Sequence, residues 1–181
     1  MKTLGILFSA RKGNGYDIAQ YLLPQEDILL LADCHLLPCS RCNYECMKKM
    51  LCPIKDDLVK IYKKLKDYDR WLIITPTYDG HPPSFWYILE ERLPAVWYRK
   101  EKGFEDFYKT KSVFLITIGN SEGDLTERII QAHFTERGAT IAATLLIKPS
   151  DYPLGGGIEG GLIQNLFLLS KLEPVQQWIG E

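Results

Sequence analysis

Five short, almost unbroken apolar runs, at residues 2–8, 27–32, 70–75, 112–118 and 140–147, are the feature that most constrains how this chain can fold. Each has the length of a strand rather than of a helix. A strand with one wet face alternates apolar and polar residues. A run that is apolar at nearly every position has to be covered on both faces. Between the runs the pattern changes to longer helical stretches, at residues 16–23, from Pro53 onward, at 84–98, 125–137 and 158–179, the last bent at Pro174. The helix expected from Pro53 has Asp56 and Asp57 in its first turn and lysines at 60, 63, 64 and 66, the charge order that a helix dipole favours. Pro94 is expected to kink or end the helix at 84–98.

Regular alternation of strand and helix predicts a parallel sheet with helices on both sides and right-handed crossovers. For five such units the simplest doubly wound order is 2-1-3-4-5, which puts a ligand crevice at the carboxyl ends of strands 1 and 3. One α/β domain over residues 1–181 holds all five, and the chain is long enough for a full core. The cysteine-rich segment at about 34–52 reads as an insertion into that domain.

Three loops belong to the crevice edge. The first, Ser9-Ala10-Arg11-Lys12-Gly13-Asn14-Gly15-Tyr16, has neither the G-x-G-x-x-G pattern nor the G-K-[ST] ending of nucleotide loops. It offers a hydroxyl, two cations, an amide and two glycines just before a helix start, where outward N–H groups favour a phosphate. The same residues could also serve as a polar turn that caps a helix. The second loop, Pro76-Thr77-Tyr78-Asp79-Gly80-His81-Pro82-Pro83, places Tyr78 to stack on a flat ring and a glycine to let backbone approach it, or forms a plain tight turn. The third, Gly119-Asn120-Ser121-Glu122-Gly123-Asp124, borders the ring or starts a helix with Ser121 as cap. Three such loops on one edge point to a phosphorylated planar ligand.

All five cysteines, Cys34, Cys39, Cys42, Cys46 and Cys52, fall in the inserted segment. The spacing Cys39-x2-Cys42-x3-Cys46-x5-Cys52 supplies four thiols, enough for a [4Fe–4S] cluster or a tetrahedral zinc site. On a continuous helix Cys39 and Cys46 would stand ~10 Å apart along the axis, at about 1.5 Å per residue. A cluster therefore needs a loop or a broken turn here, whereas a continuous helix would make the thiols a packed stripe. Cys34 reads as a packed thiol at the end of strand 2.

The stretches FSARKGNGYDIAQYL, PCSRCNYECMKKMLCPIKDDLVKIYKKLKDYD and WLIITPTYDG resemble the NAD(P)H-dependent FMN reductase and iron–sulfur flavoprotein group. CPIKDDL and PTYDG are the most specific parts of the match, which is strongest over the first half of the chain. Ala10 stands where members commonly have proline. The resemblance implies a flavodoxin-like three-layer sandwich. It implies that Ser9, Arg11, Lys12, Asn14, Gly15 and Tyr16 bind the FMN phosphate. It further implies that Pro76, Thr77, Tyr78, Asp79 and Gly80 hold the isoalloxazine, with Gly119 and Asn120 flanking the ring. The cysteine spacing is close to that of iron–sulfur flavoproteins, whose middle gap is usually two, so Cys39, Cys42, Cys46 and Cys52 are the candidate metal ligands.

The implied activity is FMN-dependent oxidoreduction, with NAD(P)H or a redox protein as donor and a small molecule or protein as acceptor. No side chain need act as acid or base. The alternatives are a non-enzymatic electron carrier and a cofactor-free interaction module. A homodimer or homotetramer is expected from the resemblance. A net charge of −1, from 22 basic and 23 acidic side chains, argues against nucleic-acid binding. No apolar run is long enough to cross a membrane, and the first residues are too polar for a signal core, so a cytoplasmic protein is expected.

Overall fold

The computed structural model describes residues 1–40, 42–49, 52–94, 106–120, 123–152 and 160–181. Trp97, Tyr98, Phe104, Ser121 and Glu122, and the expected helix start at residue 158, lie outside the described residues. Strands β1 (Thr3–Leu7), β2 (Ile28–Leu30), β3 (Arg70–Pro76), β4 (Ser112–Ile118) and β5 (Thr140–Ile147) form one parallel sheet in the order β2-β1-β3-β4-β5. This is the flavodoxin-like arrangement expected from the run pattern.

The two-sided burial is visible residue by residue. On β3, Trp71 and Ile73 enter one core cluster while Leu72 and Ile74 enter the other. On β4, Val113 and Leu115 face the first cluster, and Phe114 and Ile116 the second. Helices α3 (Leu58–Lys66), α4 (Ser84–Arg92) and α5 (Gly123–Glu136) close the first face through Ile61, Leu65, Trp86, Leu89, Ile130 and Phe134. Helices α1 (Asn14–Leu22) and α6 (Leu166–Gly180) close the second through Ile18, Ala19, Leu168, Leu172 and Val175. Each such aliphatic side chain contributes about 1.5–3 kcal/mol by leaving water. Strand β5 lies at the sheet edge and is half-exposed over most of its length. Its register against β4 slips by one residue after Val113, which pairs with Ile141 while Phe114 pairs with Ala143.

Two helices begin later than the sequence suggests. The α3 helix starts at Leu58, not Pro53, because Asp56 and Asp57 are engaged outside it. Asp57 is the residue before the helix, and its Oδ2 accepts from the His35 amide at 2.9 Å. Asp56 Oδ1 accepts from the Leu58 amide at 3.3 Å, and its Oδ2 accepts from the Leu37 amide at 3.0 Å. The α6 helix starts at Leu166, where Asn165 Oδ1 accepts from the Phe167 and Leu168 amides. A 3₁₀ turn, Leu162–Gln164, precedes it, and the helix continues through Pro174.

Two buried polar pairs lie on the first face. Arg92 and Asp56 are about 1% exposed and form a two-pronged pair at 2.8 and 3.1 Å. Arg92 also donates to the Leu37 carbonyl and, at 3.6 Å, to Cys52 Sγ. It thereby draws together the entry and exit of the cysteine segment. Burial, the largest single influence, would raise the Asp56 carboxyl, but the Arg92 hydrogen bond and charge together with the Leu37 and Leu58 amides hold the group below its ordinary value. The second pair joins α4 to α5: Glu90 Oε2 lies 2.5 Å from His133 Nε2, beneath Trp86, Tyr108 and Phe134. Burial pushes Glu90 up to about 8 and His133 down to about 3.

Candidate functional site

The carboxyl ends of β1, β3, β4 and β5 border one cleft of about 240 Å³, open on one side. Small-molecule sites commonly enclose ~300–1,000 Å³, so this one covers part of a mononucleotide and leaves part at the surface. Its floor is apolar, from Ile74 and Ile118, with Pro76 and Pro149 beside them.

One wall is the first loop. Ser9, Arg11, Gly13, Asn14 and Gly15 line the cleft. The α1 helix opens at Asn14, and its first bonded amides, Tyr16 and Asp17, both donate to the Gly13 carbonyl. The Lys12, Gly13 and Gly15 amides donate to no group among the described residues. Unpaired amides at a helix start, with Arg11 beside them, are an arrangement that favours an anion. Gly15 allows close packing here: a Cβ would stand 3.2 Å from Ile74 Cγ2, tight enough that the isoleucine would have to shift. Asn14 is buried, and its Oδ1 accepts from the Leu162 amide at 3.3 Å.

The opposite wall is the loop after β3. Tyr78 and His81 exchange both backbone hydrogen bonds at 3.0 Å, with Asp79 (φ 51°) and Gly80 (φ 75°) as the turn between them. Left-handed conformation at both central residues is the I′ hairpin turn that Asp-Gly favours. This hairpin leaves Tyr78 about half-exposed at the cleft, and the Asp79 and Gly80 amides donate to nothing among the described residues. Thr77 also lines the cleft, and its amide donates to the Ile118 carbonyl at 3.0 Å. Behind it, Thr126 on α5 bridges Thr77 Oγ1 at 2.8 Å and the Gly80 carbonyl at 2.9 Å.

Of the thirteen residues expected at the ligand, Ser9, Arg11, Asn14, Gly15, Pro76, Thr77, Tyr78, Gly119 and Asn120 line the cleft. Asn120 Oδ1 is engaged by the Ser150 amide at 2.8 Å, which ties the third loop to the turn after β5. Lys12, Tyr16, Asp79 and Gly80 are not part of the lining. Lys12 is paired with Asp33 at 3.3 Å, over the Tyr16 ring. Tyr16 donates to Gln25. Gly13, one of the two glycines of the first loop, lines the cleft as well, and so do Ile74, Ile118 and Pro149, which no motif singled out. These last three lie in or just past an apolar run, so their signal is the shared strand edge rather than a motif.

The cysteine segment packs on the first core cluster and touches the last turn of α4. Its chain breaks at Asn43 and Tyr44, both left-handed (φ 51° and 55°), and the only helical turns are α2 (Glu45–Lys49) among the described residues. Cys39 and Cys42 are therefore off any helix, which removes the ~10 Å axial separation of a continuous one. The Cys39 amide donates to Glu91 Oε1 at 2.6 Å, so α4 holds this border of the segment as well as the Cys52 border. Partial burial, the Glu91 carboxylate and the neighbouring Cys42 push the Cys39 thiol above its ordinary value. Cys34 packs against the core, and burial raises its thiol too. All five cysteines are free thiols, and among the described residues no three metal-binding side chains converge on a common point.

Comparison with known proteins places these features in context. The family model described as NADPH-dependent FMN reductase matches residues 1–147. An iron–sulfur flavoprotein of Methanosarcina thermophila is 28% identical over 140 residues, covering 73% of this chain and 70% of that one. An iron–sulfur flavoprotein of Archaeoglobus fulgidus is 31% identical over 98 residues, covering 54% of this chain and 48% of that one. Among solved structures, RosB with bound 8-demethyl-8-formylriboflavin-5′-phosphate superposes with a TM-score of 0.70 at 16% identity, covering 97% of this chain and 75% of that one. At that identity the likeness is one of fold.

Proposed function

Since this chain belongs to the NADPH-dependent FMN reductase family, we propose that it is an FMN-dependent oxidoreductase that takes electrons from NAD(P)H or a redox protein and delivers them to a small-molecule or protein acceptor. The observation that carries this reading is the cleft itself. It combines unpaired amides and Arg11 at one end with an apolar floor and a half-exposed tyrosine at the other. That donor set fits FMN: an anion at the helix start and a flat ring over Ile74 and Ile118. Ser9, Arg11, Asn14 and Gly15 would hold the phosphate, and Pro76, Thr77, Tyr78, Gly119 and Asn120 the ring. Asp79 and Gly80 would contribute through backbone amides. Lys12 and Tyr16 would act behind the phosphate loop, through Asp33 and Gln25.

Bound flavin supplies hydride and electron chemistry at a ring whose reactivity the protein tunes. The chain's own part is to bind, orient and exclude water. The Ile74 and Ile118 floor would keep solvent from one side of a bound ring, and the Asp79–Gly80 turn, beside the cleft lining, would offer two amide donors near it.

Cys39, Cys42, Cys46 and Cys52 would hold a [4Fe–4S] cluster as a second redox centre. The broken turn at Asn43 and Tyr44, the half-burial of Cys42, Cys46 and Cys52, and the names of the two archaeal relatives favour this reading. Anaerobically purified protein is expected to show flavin absorbance, to bind one FMN per chain and to be bleached by NAD(P)H. Iron and sulfide assays test the cluster separately. Protein that neither carries nor takes up FMN would overturn the oxidoreductase reading.

A further inference from the structure

The hydroxyl of Thr126 is fully buried and lies within hydrogen-bond distance of two oxygens, the Gly80 carbonyl at 2.9 Å and Thr77 Oγ1 at 2.8 Å. A hydroxyl has one proton to give and two lone pairs to receive with. The Gly80 carbonyl can only accept, and Gly80 is itself buried, so leaving it unmet would carry the whole desolvation cost of that group. The Thr126 proton therefore goes to Gly80. The short contact to Thr77 is then satisfied only if Thr77 donates to Thr126. The chain of protons runs in one direction, from Thr77 to Thr126 to Gly80, away from the cleft.

We propose that Thr126 is a positioning residue that fixes Thr77 as a pure hydrogen-bond acceptor at the cleft and so biases the site toward ligands that present an N–H there. Thr77 lines the cleft, and no donor among the described residues reaches its oxygen from that side. The inference rests on the flavin reading of the cleft. An oxidised isoalloxazine carries one ring N–H, whereas the two-electron-reduced ring carries two or three. An acceptor locked in place prefers the reduced ring, and the polarity cannot relax, because the proton that would reverse it is already committed inside the core. This raises the potential of bound flavin without any charged group.

The test compares affinities of wild type, Thr126→Val and Thr126→Ser for oxidised and for dithionite-reduced FMN, with the midpoint potential measured independently. Thr126→Val keeps the shape, removes the committed proton acceptor and frees the Thr77 hydroxyl to turn. The preference for reduced over oxidised FMN is expected to fall about tenfold, equivalent to about 30 mV for a two-electron couple. Thr126→Ser is expected to restore it. Thr77→Val, which removes the acceptor directly, is expected to lower the preference in the same direction should Thr126→Val fold poorly. An unchanged ratio of affinities in both valine variants, with FMN still bound, overturns the proposal alone. A wild type that binds neither form of FMN overturns it together with the flavin reading.

Discussion

Replacing Glu90 by glutamine is expected to abolish the loss of stability between about pH 6.5 and pH 8. In the folded chain Glu90 and His133 face each other across 2.5 Å of apolar interior, with burial pushing the carboxyl up to about 8 and the imidazole down to about 3. Between those limits the pair holds one proton, wherever along the contact it resides. In the unfolded chain the same two groups hold two protons below their ordinary carboxyl value of 4.5, one between 4.5 and 6.5, and none above 6.5. Above 6.5 the folded state thus binds one proton more, and stability falls as pH rises, by about 1.4 kcal/mol per unit. The fall ends where the folded carboxyl releases its proton, after a loss of about 2 kcal/mol. Below 4.5 the unfolded state binds one proton more, and stability falls again as pH drops toward 3. Tyr108 and Arg137 also face the pair. The Tyr108 hydroxyl is pushed well up by burial and does not titrate in this window. Urea unfolding of wild type and Glu90→Gln, from about pH 6 to about pH 8.5, isolates the effect, since every other group cancels in the difference. The variant should gain about 2.6 kcal/mol on the wild type across that range, just under two pH units at about 1.4 kcal/mol each. Parallel curves would show that the pair does not retain its proton and would refute the reasoning.

Other perturbations give separate readouts. Asp56→Asn leaves the Arg92 charge buried without its partner and should cost about 3–5 kcal/mol in denaturant unfolding. Arg11→Gln should weaken FMN about tenfold while leaving riboflavin, which lacks the phosphate, nearly unchanged; equal losses for both ligands in calorimetric titration would remove Arg11 from the phosphate site. Gly80→Ala forces a side chain into the left-handed region at φ 75° and should destabilise the hairpin by about 1–2 kcal/mol, read as a lower thermal midpoint.

Strands were the most legible part of the molecule. The run at 112–118 coincides with β4, whose burial on both faces leaves it apolar at nearly every position, and the run at 140–147 coincides with β5, which keeps an apolar sequence although it is a half-exposed edge strand. Helix starts were less legible. Pro53, Asp56 and Asp57 carry every local mark of a first turn, yet both aspartates bond to His35 and Leu37, far back along the chain, and no local rule sees such partners. Within the site, the loops flanking the crevice could be named from their positions, but their division of labour could not. Lys12 turns to Asp33 and away from the cleft, and Pro149 comes in from beyond the last strand. Thr126 was silent in the sequence, being one small polar residue in an amphipathic helix. Glu90 and His133 are separated by the whole of β4, and neither betrays the other.

The clasp formed by Arg92 also bears on how this protein could change over generations. Leu37 and Asp56 are stitched to each other and to α4, so the base of the thiol-bearing stretch is closed independently of most of what lies between, with Cys46 and Cys52 packing on the first core cluster. A loop closed at its base can be lengthened cheaply, at about 0.6 kcal/mol per doubling. The stretch is therefore a cassette. It could be traded for a plain turn, or grafted together with the Arg92–Asp56 clasp onto a thiol-free scaffold of the same shape, with only the Cys46 and Cys52 contacts to the first core cluster to be refitted.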